Sequence, residues 1–102
     1  MKAFVVNDSG HDYSPASDFG EVVVLSTGLI NKFNLTEMLR TFDPWIDKSS
    51  KDDYIVQSGP AVMFALVCAA FAARHGRVNI LLWKADKERG RYVPRSVVLK
   101  GT

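Results

Sequence analysis

One cysteine, two histidines and no apolar run long enough to cross a bilayer leave several chemistries without material in this 102-residue chain. A lone Cys68 excludes an internal disulfide. It lies inside an apolar helical run with no histidine beside it in sequence, so it reads as a small core hydrophobe rather than a nucleophile. Such thiol usage suits a reducing compartment. The longest apolar run, Ala61 to Ala73, has 13 residues, seven of them Ala or Cys; a helical span needs about 20. No basic segment, apolar core and small-residue cleavage site follow Met1-Lys2, so the expected location is the cytoplasm, and Asn34-Leu35-Thr36 is not read as a glycosylation site. Repeats, low-complexity tracts and Gly/Ser linkers are missing as well, as are a Walker A pattern and a full dinucleotide fingerprint.

What is present has the balance of one compact domain over residues 1–102: 47% hydrophobic and 24% charged residues, enough to bury roughly two-thirds of the unfolded surface. The net charge of +2 is unevenly placed. Residues 1–76 carry six basic against nine acidic side chains, whereas residues 77–102 carry seven against two. That asymmetry hints at an anionic partner for the C-terminal end.

Periodicity and punctuation give an α/β reading, with a mostly parallel sheet of four or five strands, two main helices and a C-terminal antiparallel hairpin. After a first strand around Phe4 to Val6, the long polar connection Asn7 to Gly20 has room for a helical turn at Pro15 to Phe19. The continuous Val22-Val23-Val24-Leu25 run is the pattern of a strand covered on both faces, which places it near the sheet centre. Asn34 and Glu37 match a capping box, with Phe33 and Met38 spaced for a hydrophobic staple. Leu35, Met38, Leu39 and Phe42 then form one apolar stripe until Pro44, where a second short turn carrying Trp45 and Ile46 is expected. Tyr54 to Val56 forms a third strand. Pro60 suits the first position of a helix that ends at His75, before Gly76. Arg77 to Lys84 and Arg91 to Leu99 make the hairpin, and Pro94 confines its second strand to an edge.

The three early strands each run into a small polar cluster: Asn7-Asp8-Ser9-Gly10, Ser26-Thr27-Gly28 and Ser58-Gly59-Pro60. If these strands are parallel, the clusters meet along the carboxyl edge, where open α/β sheets bind small ligands. At the Ser58-Gly59-Pro60 junction a helix start offers unpaired N–H groups and the positive end of its dipole to an anion. On this reading Ser26, Thr27, Gly28, Ser58 and Gly59 hold phosphate, while Asn7, Asp8, Ser9 and His11 close over base or ribose. The plainer alternative is that Ser58 caps the helix and Gly59 makes the turn. Asp8, His11 and Asp12 have metal-ligating and proton-transfer chemistry. They lie in one short segment without a distant partner, however, so neither a metal nor a cofactor is expected, and the same residues serve ordinary turns. His75, at a helix C-terminus, reads as structural through its interaction with the helix dipole.

The opening Met1 to Pro15, together with Ser58-Gly59-Pro60 and His75-Gly76-Arg77-Val78-Asn79, resembles small proteins encoded by tailed phages. The resemblance implies a viral origin and a role in the host cytoplasm, and carries no active site onto these residues. More distantly, strands ending in Ser-Thr-Gly and in Ser-Gly before a helix are similar to sensor domains that bind cyclic oligonucleotides.

The expected function is therefore binding of a nucleotide or nucleotide-derived signal by a homodimer, not catalysis, since no acid and base are paired with defined spacing. An interaction protein that modulates a host factor is the alternative. The basic hairpin, with Lys84, Lys87, Arg89, Arg91 and Arg95 around Trp83 and Tyr92, also fits nucleic-acid binding. A solvated edge hairpin with aromatics paired across its strands is preferred there.

Overall fold

The computed structural model describes residues 1–28, 31 and 33–99. Five strands, β1 (Lys2–Val5), β2 (Glu21–Val24), β3 (Tyr54–Val56), β4 (Arg77–Lys84) and β5 (Arg91–Val98), form one sheet in the order β2-β1-β3-β4-β5. The first four are parallel, and β5 returns antiparallel to β4. Helices α1 (Leu35–Asp47) and α2 (Ala61–His75) cross between strands on one face. The other face carries a 3-10 helix at Ser14–Asp18, whose Ala16 packs with Ala3, Val5, Val56 and Leu81.

The alternation of side chains along each strand divides the core in two. Phe4, Val6, Ile55 and Val78 meet Met38, Phe42, Ile46, Met63, Val67 and Phe71 from the helices. Ala3, Val5, Val56 and Leu81 face Tyr13, Ala16 and Tyr92. Ala3 to Val6 are completely buried, so β1, paired with both β2 and β3, holds the covered position expected of β2. β2 is instead an edge strand, with Val24 exposed and Val22 and Val23 only partly covered. A continuous valine run marks β-propensity as well as burial, and here propensity is what it reports.

Helix α1 departs from expectation at both ends. Asn34 Oδ1 accepts a hydrogen bond from Glu37 N at 3.1 Å, as the capping box requires. The hydrophobic staple does not form, because Phe33 is 95% exposed. Pro44 does not end the helix, which continues to Asp47. The buried stripe is Met38, Phe42 and Ile46, with Leu35 outside it. Burying a side chain such as Ile46 contributes about 1.5–3 kcal/mol, comparable with the penalty of about 3 kcal/mol for an interior proline. Only three residues follow Pro44, so little of the ladder is at stake.

Pro60 is the N-cap of α2 rather than its first helical residue, and extended (φ −61°, ψ 144°). At the far end Gly76 adopts the left-handed conformation (φ 71°), and its N–H bonds to Ala72 O. Burial pushes the Cys68 thiol up to about 11, so it is protonated at neutral pH. Pro94 lies in edge strand β5, opposite Leu81. No helix among the described residues is long and apolar enough to cross a membrane.

The ends of α1 and α2 are joined by Ser49 and His75, whose Oγ and Nε2 are 2.7 Å apart, with Phe71 against the imidazole. Burial, and then the neighbouring Arg74 cation, hold the His75 pKa below its ordinary value, against the opposing charge of Asp53. The imidazole is thus preferred neutral, the opposite of a helix-dipole imidazolium. Its stabilising contribution is intact above the unfolded pKa of about 6.5 and is lost as pH falls through the lower folded value. The urea midpoint should fall between pH 7.5 and 5.5, and His75→Gln should flatten that dependence.

Candidate functional site

Polar residues that follow β1, β2 and β3 occupy the carboxyl edge, but they fall into two groups. On the β1–β2 side, an isolated parallel bridge between Asp8 and Thr27 prolongs the pairing, and Asp8 N donates to Ser26 O at 2.9 Å. Ser26 Oγ lies 2.6 Å from Val6 O and 2.9 Å from Asn7 Oδ1, while Asn7 Nδ2 donates to Gly28 O at 3.2 Å. Asp8 Oδ1 accepts from Gly10 N at 2.9 Å. Asn7, Asp8 and Ser26 therefore direct their polar atoms into the rim itself.

Ser58 does the same work between β1 and β3. Its Oγ accepts from Val6 N at 2.8 Å and donates to Val56 O at 2.7 Å. It ties two strands together beyond their last paired residues and does not cap α2, which has no side-chain cap. Gly59 follows with φ 71°, and a Cβ there would stand 2.8 Å from that of Asn7. Any side chain at position 59 meets both a left-handed backbone and Asn7.

The second group surrounds an open cleft of about 590 Å³. After β1 the chain passes to the 3-10 side of the sheet, whereas after β3 it passes to the helical side. Adjacent strands whose connections leave to opposite faces open a crevice at their carboxyl ends. Ser9, His11, Asp12, Tyr13 and Pro15 form one wall, Gln57, Ser58 and Gly59 another, and Trp83 and Tyr92 of the hairpin a third. Of the nine residues expected to bind the nucleotide, Ser9, His11, Ser58 and Gly59 reach the cleft; Asn7, Asp8, Ser26, Thr27 and Gly28 do not line it.

The aromatic wall was not evident as part of this rim. Trp83 and Tyr92 are directly opposite in the β4–β5 register and meet edge to face, with centroids 4.9 Å apart. The indole lies against Gly90, where an added Cβ would fall 2.0 Å from a ring carbon. Glycine at 90 thus leaves the space that the indole fills. Trp83 remains 45% exposed, a ring held in place yet open to contact. The shared carboxyl edge of β3 and β4 was the available signal, because a strand parallel to β3 ends at Trp83-Lys84.

Electrostatically the cleft is mild. No lysine or arginine lines it among the described residues. Hydrogen bonds from Ser14 hold the Asp12 carboxyl below its ordinary pKa, so it is ionised. Burial first, then Tyr13 and Asp12, hold the Tyr92 phenol above its ordinary value, leaving it a neutral donor at physiological pH. His11 stands edge-on to Tyr13 at 6.2 Å. The buried Tyr13 hydroxyl has no hydrogen-bond partner among the described residues. No group of three or more His, Cys, Asp or Glu among the described residues could hold a metal ion.

A family model described as Phage Pam3 gp32-like protein matches residues 2–99. The chain belongs to that family. Neither a curated protein nor a solved structure matches it.

Two substitutions separate the load borne by these hydroxyls. Ser58→Ala leaves the buried Val6 N–H without its acceptor and should lower stability by about 1–3 kcal/mol. Tyr13→Phe removes a hydroxyl that has no partner among the described residues and should leave the urea midpoint unchanged or higher.

Proposed function

For this member of the phage Pam3 gp32-like family we propose a binding function: the cleft receives the planar base of a nucleotide or nucleotide-derived signal. The observation that supports it is the coincidence of an aromatic-walled cleft with the point where the connections after β1 and β3 diverge. Trp83 offers a ring face for stacking, while Tyr92, Gln57 and Ser9 supply hydrogen-bonding groups around it. Ser26 and Ser58, whose hydroxyls already bond to the protein, serve in this reading to hold the rim in shape. Asn7 does so through Gly28 and by seating Gly59.

The second reading is a protein that binds a host factor or a second copy of itself. It draws on the outward face of α2, where Ala61, Ala65, Ala69 and Ala73 are exposed and no charged side chain occurs before Arg74. Native mass spectrometry weighs both readings, since it reports subunit count and adduct mass together.

Incubation with mononucleotides and cyclic di-, tri- and tetranucleotides should give a stoichiometric adduct. Trp83→Ala should remove it, and Gly90→Ala should weaken it by displacing the indole. Gly59 is a poor probe because any side chain there collides with Asn7. Absence of every adduct, together with capture of a specific host protein, would replace the nucleotide reading with the second one.

A further inference from the structure

Resting on the nucleotide reading above, the geometry points to a second half of the site: we infer that the β4–β5 turn receives phosphate, which makes the ligand a phosphodiester-linked oligonucleotide rather than a mononucleotide. The cleft wall supplies no cation, so an anionic ligand needs its counter-charge from beyond the wall. The turn begins where the aromatic wall ends. Gly90, against which the Trp83 indole lies, is flanked by Arg89 and Arg91, and Lys87 stands two residues before Arg89.

The turn is built to hold that position. Asp86 Oδ1 accepts from Glu88 N at 3.1 Å and Arg89 N at 2.8 Å, and Asp86 N donates to Arg89 O at 3.3 Å. These backbone bonds hold the Asp86 carboxyl below its ordinary pKa, with a smaller effect from Arg91. Asp86 Oδ1 is thereby engaged by the turn's own backbone, and Arg91 lies near the charge of the carboxylate. Lys87 and Arg89 are exposed, and neither ion pair among the described residues involves the turn. Lys84 and Arg91 alternate to the sheet face opposite Trp83 and Tyr92, which leaves Lys87 and Arg89 as the cations to test.

A base stacked on the indole, with backbone phosphates passing over Arg89 and Lys87, combines an aromatic platform with flanking cations. The shared chemistry is a phosphodiester chain carrying at least two phosphates. It can be supplied by a small cyclic oligonucleotide or by a single-stranded nucleic acid.

Trp45 and Trp83 are the two tryptophans, so Trp45→Phe makes intrinsic fluorescence a report on Trp83 alone. This variant is titrated with adenosine monophosphate, a cyclic diadenylate, and 5′-phosphorylated linear oligoadenylates of two and ten nucleotides; calorimetry on the unaltered chain repeats the ranking in case Trp45→Phe perturbs folding. Linked nucleotides are expected to bind about tenfold tighter than the mononucleotide at low salt, equivalent to about 1.4 kcal/mol. For a linear strand, two neutralised phosphates correspond to a log–log salt slope of about −1.4. Lys87→Ala with Arg89→Ala should remove that advantage and its salt dependence, bringing linked ligands to the affinity that the same variant has for the mononucleotide. Preference for the cyclic ligand identifies a small signal; tightening with linear length identifies a strand, and both support the inference. Equal affinity for mononucleotide and linked ligands, or an advantage that survives the double substitution, overturns it while sparing the cleft reading. If no nucleotide of any length binds, both readings fall together.

Discussion

The complete burial of Ala3 to Val6, in and just after β1, is the constraint on which the rest of this molecule depends. Ala3, Phe4, Val5 and Val6 have no exposed surface, and their side chains alternate between two separate apolar clusters. A strand apolar on both faces needs cover on both and neighbours on both edges. The helices provide one cover and the Ser14–Asp18 segment the other, while β2 and β3 provide the edges. Since β1 runs parallel to both, its carboxyl end is placed between theirs.

From that placement the polar rim follows. Ser26 and Ser58 each bond to Val6, one through its carbonyl and the other through its N–H. Two hydroxyls distant in sequence thus secure the end of the same buried strand. Their short polar side chains work in the same region as the Gly59 turn, which lies against Asn7. The rim therefore has its own structural demand for Ser, Asn and Gly. Those residue types were visible in the sequence, but residues that hold a rim and residues that line a cleft share one composition. Hydrogen-bond partners separate them, and most such partners lie 19 to 52 positions away.

The cleft shows the same division between local and non-local information. His11 and Ser9 were recognisable because they follow a strand directly. Trp83 and Tyr92 were recognisable only as a hairpin pair, since nothing within the hairpin says which sheet face they occupy or what stands across from them. The packing of Tyr13 and Ala16 over β1, β3 and β4 brings the first loop to the hairpin wall. The same kind of non-local packing carries α1 through Pro44 and leaves Phe33 in solvent.

By itself the sequence determined the class and order of elements, the start of α1 at Asn34, the end of α2 at Gly76 and the final hairpin. These rest on local physics: capping hydrogen bonds, glycine in the left-handed region, proline without a donor, and apolar periodicity. Only the tertiary structure decided that β1 rather than β2 is covered on both sides, that Ser58 joins strands instead of capping a helix, and that the hairpin aromatics complete a cleft with the first loop. Each of those outcomes depends on which surfaces meet after the chain closes. Residue type limits such meetings without specifying them, because burial and hydrogen-bond pairing are properties of two distant segments at once.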